Sequence, residues 1–219
     1  MFESDLLLYN PKLITKYQYS SNYLGVPVHI AHVSAKRTVD IIAWGKSRGV
    51  KVTAETTPHY LTLDDTAVNG YNTLAKVNPP LRTPEDCNAL IDGVVDGTVD
   101  AIVTDHAPHT AWEKNCEFEI APFGMIGLET SLALMLTNLV DPGHLSWERA
   151  IELMSVNPRA ILRVERVAIE PGSTADLTVI DPEVEWTVDA ADFLSKATNS
   201  GFIGEELKGR ATDVFVGGY

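Results

Sequence analysis

The chain has little of what several protein classes require. Its 219 residues hold two cysteines, Cys87 and Cys116, with no CxxC pair. That excludes a disulfide framework and favours a reducing, cytoplasmic setting. Basic residues are scarce: 17 Lys and Arg against 30 Asp and Glu leave a net charge of −13. Such a surface repels nucleic acid and anionic membranes, and an anionic substrate needs a locally positive site. No run approaches the roughly 18 apolar residues of a membrane span. Stretches such as Ala101–Val103 and Leu132–Leu136 are of core size. The opening Met1–Asn10 has neither a basic n-region nor a small-residue cleavage site, so it does not read as a signal peptide. Repeats, low-complexity tracts and His-x-His pairs are all missing. The apolar share of 45% is that of an ordinary globular chain.

What is present alternates. Val26–His32 reads as a strand and Ala35–Arg48 as a helix, with Ser34 as N-cap and Gly49 as stop. Val50–Glu55 is the next strand, Pro84–Val95 the next helix and Val99–Thr104 a third strand. Helical patterns follow near Gly127–Leu139, Trp147–Ser155 and Pro158–Leu162. Strands alternating with helices of this length predict βαβ units and a parallel sheet, an α/β fold. After Pro171-Gly172 the texture changes to short strand patterns at Asp176–Ile180, Val184–Val188 and Asp213–Val216, as of an antiparallel β-rich appendage. The division is placed near residue 165, giving parts 1–165 and 166–219.

In parallel α/β folds chemistry collects at the C-terminal strand ends. Here those ends carry His32, then Glu55 and His59, then Asp105, His106 and His109, so four of the six histidines gather there. Alternation puts Val28, Ile30 and His32 on one face, His29 on the other, and Ala101, Val103 and Asp105 together. Imidazole and carboxylate are ligands Zn²⁺ accepts, and a metal-bound water with a neighbouring carboxylate makes a hydrolytic site. The alternative is that these histidines cap strands and bond loop carbonyls; His32 and Asp105 together favour the metal.

The run TDHAPH at Thr104–His109 resembles the signature of dihydroorotases, in the amidohydrolase superfamily. So do AHVSAK from Ala31, AETTPHY from Ala54, KVNPPLR from Lys76, APFGMIGLET from Ala121 and the tail pattern ADLTVID…DFLSKATNSGFIGEELKG. The resemblance implies the C-terminal part of a metal-dependent (β/α)₈ TIM-type barrel with a small β-rich appendage. It implies zinc, two ions per complete site, and the reversible closure of N-carbamoyl-aspartate to dihydroorotate in pyrimidine synthesis. His32 and Asp105 resemble metal ligands, and Asp105 the catalytic aspartate that also moves the proton. Asn78, His109 and the backbone at Phe123 and Gly124 resemble the substrate-holding positions. His59 is expected to be structural or to support the ligands, His106 to be a buried hydrogen-bonding partner, Arg82 to form a surface salt bridge and Cys116 to be inert.

Departures from the pattern are large. The family's first strand carries His-x-His and an arginine, and a later region supplies the ligand bridging two metals. Neither stands in this chain, and Met1 falls where another ligand histidine is expected. The segment between Tyr9 and Val26 is shorter than in relatives, as if a helix were missing. The expectation is therefore a C-terminal portion, inactive alone, that self-associates or pairs with an N-terminal half. The alternatives are a non-catalytic subunit scaffolding a partner such as aspartate transcarbamoylase, and another amidohydrolase such as a hydantoinase or allantoinase.

Overall fold

A computed structural model describes residues 11–218. The chain opens with α1 (Pro11–Leu24), β1 (Val28–Ile30), α2 (Lys36–Ser47), β2 (Val52–Thr56) and the short α3 (Pro58–Thr62). Then come α4 (Pro84–Asp96), β3 (Ala101–Ile102) and the single turn α5 (Ala111–Lys114). Strands β1, β2 and β3 lie side by side in that order, all parallel, with His29 beside Thr53 and Thr56 beside Ile102. The expected βαβ alternation is therefore present. The ladders are shorter than the strand patterns, because β1 stops at Ile30 and β3 at Ile102.

The α1 helix stands where the sequence pattern suggested that one was missing. Its inward stripe is Ile14, Gln18 and Ser21, all buried. Only one of the three is strongly apolar, so the 3.6-residue periodicity is faint. The helix approaches α2 closely because Gly45 has no side chain: a Cβ there would lie 2.6 Å from Gln18 Nε2. Helix α4 begins as its sequence dictates, with Thr83 and Asp86 forming a reciprocal capping box and Pro84 in the first turn. Helix α2 does not. Its N-cap is Ala35 rather than Ser34, and no side chain of its own closes the end. The Lys36 amide donates instead to Asp86 Oδ1 of α4 at 2.8 Å, a cap delivered across 50 residues.

Beyond the sheet, α6 (Ser131–Met135) runs into a π-helical turn at Leu136–Val140, and α7 (Trp147–Ile151) passes through another at Glu152–Val156 into α8 (Asn157–Leu162). Pro158 falls in the first turn of α8, where its missing N–H is not required. The division placed near residue 165 lies between α8 and the antiparallel pair β4 (Leu177–Thr187) and β5 (Glu206–Phe215). Two of the expected strands are one: β4 continues through Pro182, where the register with β5 shifts, a place in which proline is tolerated. Strand β5 begins at Glu206, well before the expected Asp213, because its first half, ELKGRA, is too charged to read as a strand. The core joins the two parts. Ile30, Ile42, Ala54, Leu90, Val99 and Leu153 from the βα portion cluster with Val188, Phe202 and Leu207 from the later one. No helix among the described residues is long and apolar enough to cross a membrane.

Candidate active site

Strand register builds the first half of the site. On β2, Thr53 and Glu55 alternate away from the buried Val52, Ala54 and Thr56, and β1 brings His29 opposite Thr53. His29 Nε2 lies 3.0 Å from Glu55 Oε2 and its Nδ1 2.8 Å from Thr53 Oγ1. A carboxylate only accepts, so Nε2 carries the proton and Nδ1 takes the threonine hydroxyl. The other oxygen, Oε1, faces His32 Nδ1 at 3.5 Å. His32 Nε2 points away toward Asp105 Oδ1 at 3.8 Å.

Simple alternation puts His29 and His32 on opposite faces, yet they meet the two oxygens of one carboxylate. The reason is backbone conformation. His32 has φ 52° and Asp105 φ 46°, and they are two of four non-glycine residues with positive φ among the described residues. A left-handed residue just past a strand end swings its side chain out of the pleat. It costs on the order of 1 kcal/mol or more, and such strain collects at functional sites. The same turn ends the expected facing of Asp105 with Ala101 and Val103, since β3 stops at Ile102, before Val103 and Asp105.

Burial raises the Asp105 carboxyl above its ordinary value; His32 opposes that shift and Glu55 adds to it. Behind the pair, His59 is buried edge-on against Tyr60, with ring centroids 4.2 Å apart. Its Nε2 has no hydrogen-bond partner among the described residues. Burial, with His32 nearby, pushes it down to about 3, so it is neutral. That suits a supporting role rather than a ligand.

The loop after Asp105 builds the second half. His106 Nδ1 accepts from Gly127 N–H at 3.1 Å, so the half-buried ring anchors the backbone as expected. Ala107 N–H bonds Met125 O at 2.9 Å. The His109 amide donates to Asn199 Oδ1 at 3.0 Å, and its ring Nε2 to Phe123 O at 2.9 Å. Because that carbonyl only accepts, the free ring position of His109 is Nδ1, which grips a carboxylate only when it also carries a proton. Gly124, at φ 122°, must be glycine: a Cβ would sit 2.5 Å from Ala107 Cβ. Its amide donates to Lys76 O at 2.8 Å, which brings the segment of Asn78 alongside. His109, Phe123 and Gly124 are thus in mutual contact. Asn78 is tied to them through Lys76 and the chain. Arg82 forms no surface salt bridge among the described residues, and its Nε is buried without a partner.

The His32–Asp105 pair suits one divalent cation. Two ligands at about 2.1 Å in tetrahedral geometry stand about 3.4 Å apart; the observed 3.8 Å is within a small rotation. Two lone pairs facing across such a gap repel unless a cation or proton lies between. No group of three His, Cys, Asp or Glu side chains able to hold a metal occurs among the described residues.

The Amidohydrolase family profile matches residues 21–219. This chain belongs to the amidohydrolase family. Among relatives of this amidohydrolase, the dihydroorotase of Acetivibrio thermocellus is 51% identical over 198 residues, 90% of this chain and 46% of that protein. The dihydroorotase of Geobacter metallireducens is 52% identical over 200 residues, 91% of this chain and 47% of that one. Among solved structures, the L-hydantoinase of Arthrobacter aurescens superimposes with a TM-score of 0.89 at 30% identity, covering 95% of this chain and 48% of its own. The dihydropyrimidinase of Brevibacillus agri, at 22% identity and a TM-score of 0.89, shows likeness of fold. The amidohydrolase chain therefore spans about half the length of the curated relatives it matches.

Two groups that gather beside His32 were not among the expected site residues. Glu55 carried a signal, a carboxylate at a strand end. His29 stood on the opposite strand face by alternation, and only the turn at His32 brings both histidines to Glu55.

Proposed function

We propose that this chain supplies the C-terminal share of a dihydroorotase active centre, working on N-carbamoyl-aspartate and dihydroorotate in the cytoplasm. The observation that carries the reading is the His32–Asp105 pair, both residues in left-handed conformation at the ends of parallel strands, with Nε2 and Oδ1 3.8 Å apart. Relatives that bear the dihydroorotase name at 51–52% identity favour it over a hydantoinase, where likeness stands at 30%.

In this reading His32 and Asp105 are two ligands of zinc. When bound, the metal lowers the pKa of water and polarises the ring amide carbonyl. Glu55, whose Oε1 lies 3.5 Å from His32 Nδ1, favours a proton on that nitrogen and so leaves Nε2 to ligate. In the hydrolytic direction Asp105 takes a proton from the attacking water and passes it to the ring nitrogen as the C–N bond breaks; ring closure is the reverse. His109, Asn78 and the backbone at Phe123 and Gly124 hold the acidic substrate. The remaining strands of a (β/α)₈ barrel and further ligands come from another polypeptide segment. Partners then include that segment, a second copy of the chain, or an aspartate transcarbamoylase.

The test is turnover and zinc content. The 219-residue chain alone is expected to show no dihydroorotase turnover and well under one zinc per chain. Co-expression with the N-terminal half of a relative is expected to restore both, and Asp105→Asn to abolish the restored turnover. Robust activity of the chain alone with added zinc overturns the shared-site reading. Failure of every complemented pair to act on dihydroorotate overturns the assigned reaction.

A further inference from the structure

The loop at residues 118–124, which carries Phe123 and Gly124, has almost no hydrogen-bond ladder of its own. Within it, Ile120 and Ala121 donate back to Glu117 O. Its carbonyl oxygens are served instead by two buried ammonium groups. Lys76 Nζ donates to Phe118 O, to Glu119 O at 3.0 Å and to Ala121 O at 2.7 Å, using all three hydrogens. Lys114 Nζ donates to Pro122 O at 2.9 Å and Gly124 O at 3.0 Å. Five carbonyls of a seven-residue loop thus point at two lysines. Lys76 also lies over the Phe123 ring, 4.5 Å from its centroid, and over Phe118 at 5.1 Å.

Both lysines are buried, 7% and 3% exposed, in a chain otherwise rich in surface carboxylates. Neither forms an ion pair within 4 Å among the described residues. Lysine is rarely buried without a counterion, because the charged group loses its hydration. Here carbonyl dipoles replace both water and counterion. A peptide segment outside regular structure needs donors for its buried carbonyls, and a lysine head converging on several of them sets their direction together. The next link leads to the pocket: Phe123 O, between the clamped carbonyls of Pro122 and Gly124, accepts the His109 ring proton, and Gly124 O also receives Asn199.

We infer that Lys76 and Lys114 are positioning residues, whose buried ammonium groups fix the 118–124 loop by its carbonyl oxygens and, through Phe123, set the tautomer and direction of the His109 ring. The functional half of this statement rests on reading His109, Phe123 and Gly124 as the substrate pocket; the clamp itself does not.

The test uses the 219-residue chain, comparing wild type with Lys114→Met and Lys76→Met by hydrogen exchange and by ¹⁵N shifts of the His109 ring. Removing either ammonium is expected to speed exchange at Ile120, Ala121 and Gly124 by tenfold or more and to release the Nε2–H tautomer of His109. The amides of α4 are expected to be unchanged. Unaltered loop exchange in both variants overturns the clamp.

Wild type provides a second readout should a variant not fold. Burial first, then the neighbouring Lys76, brings Lys114 down to about 8, against an opposing effect of Cys116. Those two are the titratable groups that bear on it, and the Glu113 carboxylate on the same helix is turned to Thr110. A neutral amine keeps two hydrogens but loses the charge that draws the carbonyls together, so loop exchange, corrected for the intrinsic rate, is expected to rise as pH passes through about 8, and such a rise supports the clamp. In the complemented enzyme, Lys114→Met is expected to raise KM about tenfold with a smaller change in kcat. A loosened loop with unmoved KM overturns the positioning role. A wild-type complex that does not turn over dihydroorotate overturns the assigned reaction and leaves the exchange result to decide the clamp.

Discussion

His59 shows how one residue ties the site to stability. Its ring is closed off from water, its Nε2 lacks a partner among the described residues, and protonation there is resisted down to about 3 against an ordinary 6.5. The unfolded chain therefore binds a proton that the folded chain refuses. The stability contributed by the neutral ring is complete above pH 6.5 and is lost as pH falls toward about 3, a change on the order of several kcal/mol. His59→Phe keeps an aromatic ring against Tyr60 and removes the titration, so its acid unfolding midpoint, followed by circular dichroism, is expected to lie below that of wild type. An unchanged midpoint would show that acid unfolding starts elsewhere. His32 and Asp105 make the complementary point. Their identities and strand-end position were legible in sequence, but their left-handed backbone was not, because nothing local marks it. That conformation brings His29 and His32 to one carboxylate.

At the scale of elements, Asp86 serves two helices. One carboxylate oxygen closes the capping box of α4 with Thr83, and the other caps α2 through the Lys36 amide. Asp86→Ala is expected to cost about 2 kcal/mol, roughly twice a single cap, whereas Thr83→Ala removes one cap and costs about 1 kcal/mol. Urea unfolding of both variants checks this, and equal losses would deny the second role. The α4 box was readable from TPED, where every partner lies within one turn. The α2 cap was not, and Ser34 was the better local candidate, because its replacement comes from a helix 50 residues away. Helix α1 was missed for a related reason: two of the three residues in the stripe it buries are polar, and Gln18 becomes a core residue only against the bare backbone of Gly45.

At the scale of the whole molecule, the described residues present two sheets with open sides. Among the described residues β1 and β3 are the edges of a three-stranded parallel sheet, an architecture normally covered on all sides. Tyr23, Leu24, Val26 and Trp44 are exposed on the α1–α2 side, and Val214, Phe215 and Val216 near the end of β5. Apolar surface of this kind seeks a cover. Sedimentation equilibrium of the isolated chain is expected to show mass rising with concentration, and co-expression with the complementing half to suppress that rise. A monomer at every concentration would mean the edges are blunted. By itself the sequence determined the βαβ order, the start and end of α4, the polar strand-end residues and the family, because each is written in contiguous runs of a few residues. Only the tertiary structure decided the left-handed turns at His32 and Asp105, Glu55 between two histidines, the remote cap on α2 and two lysines buried under a loop. Those depend on groups far apart in the chain, whose burial and partners exist only once it has folded.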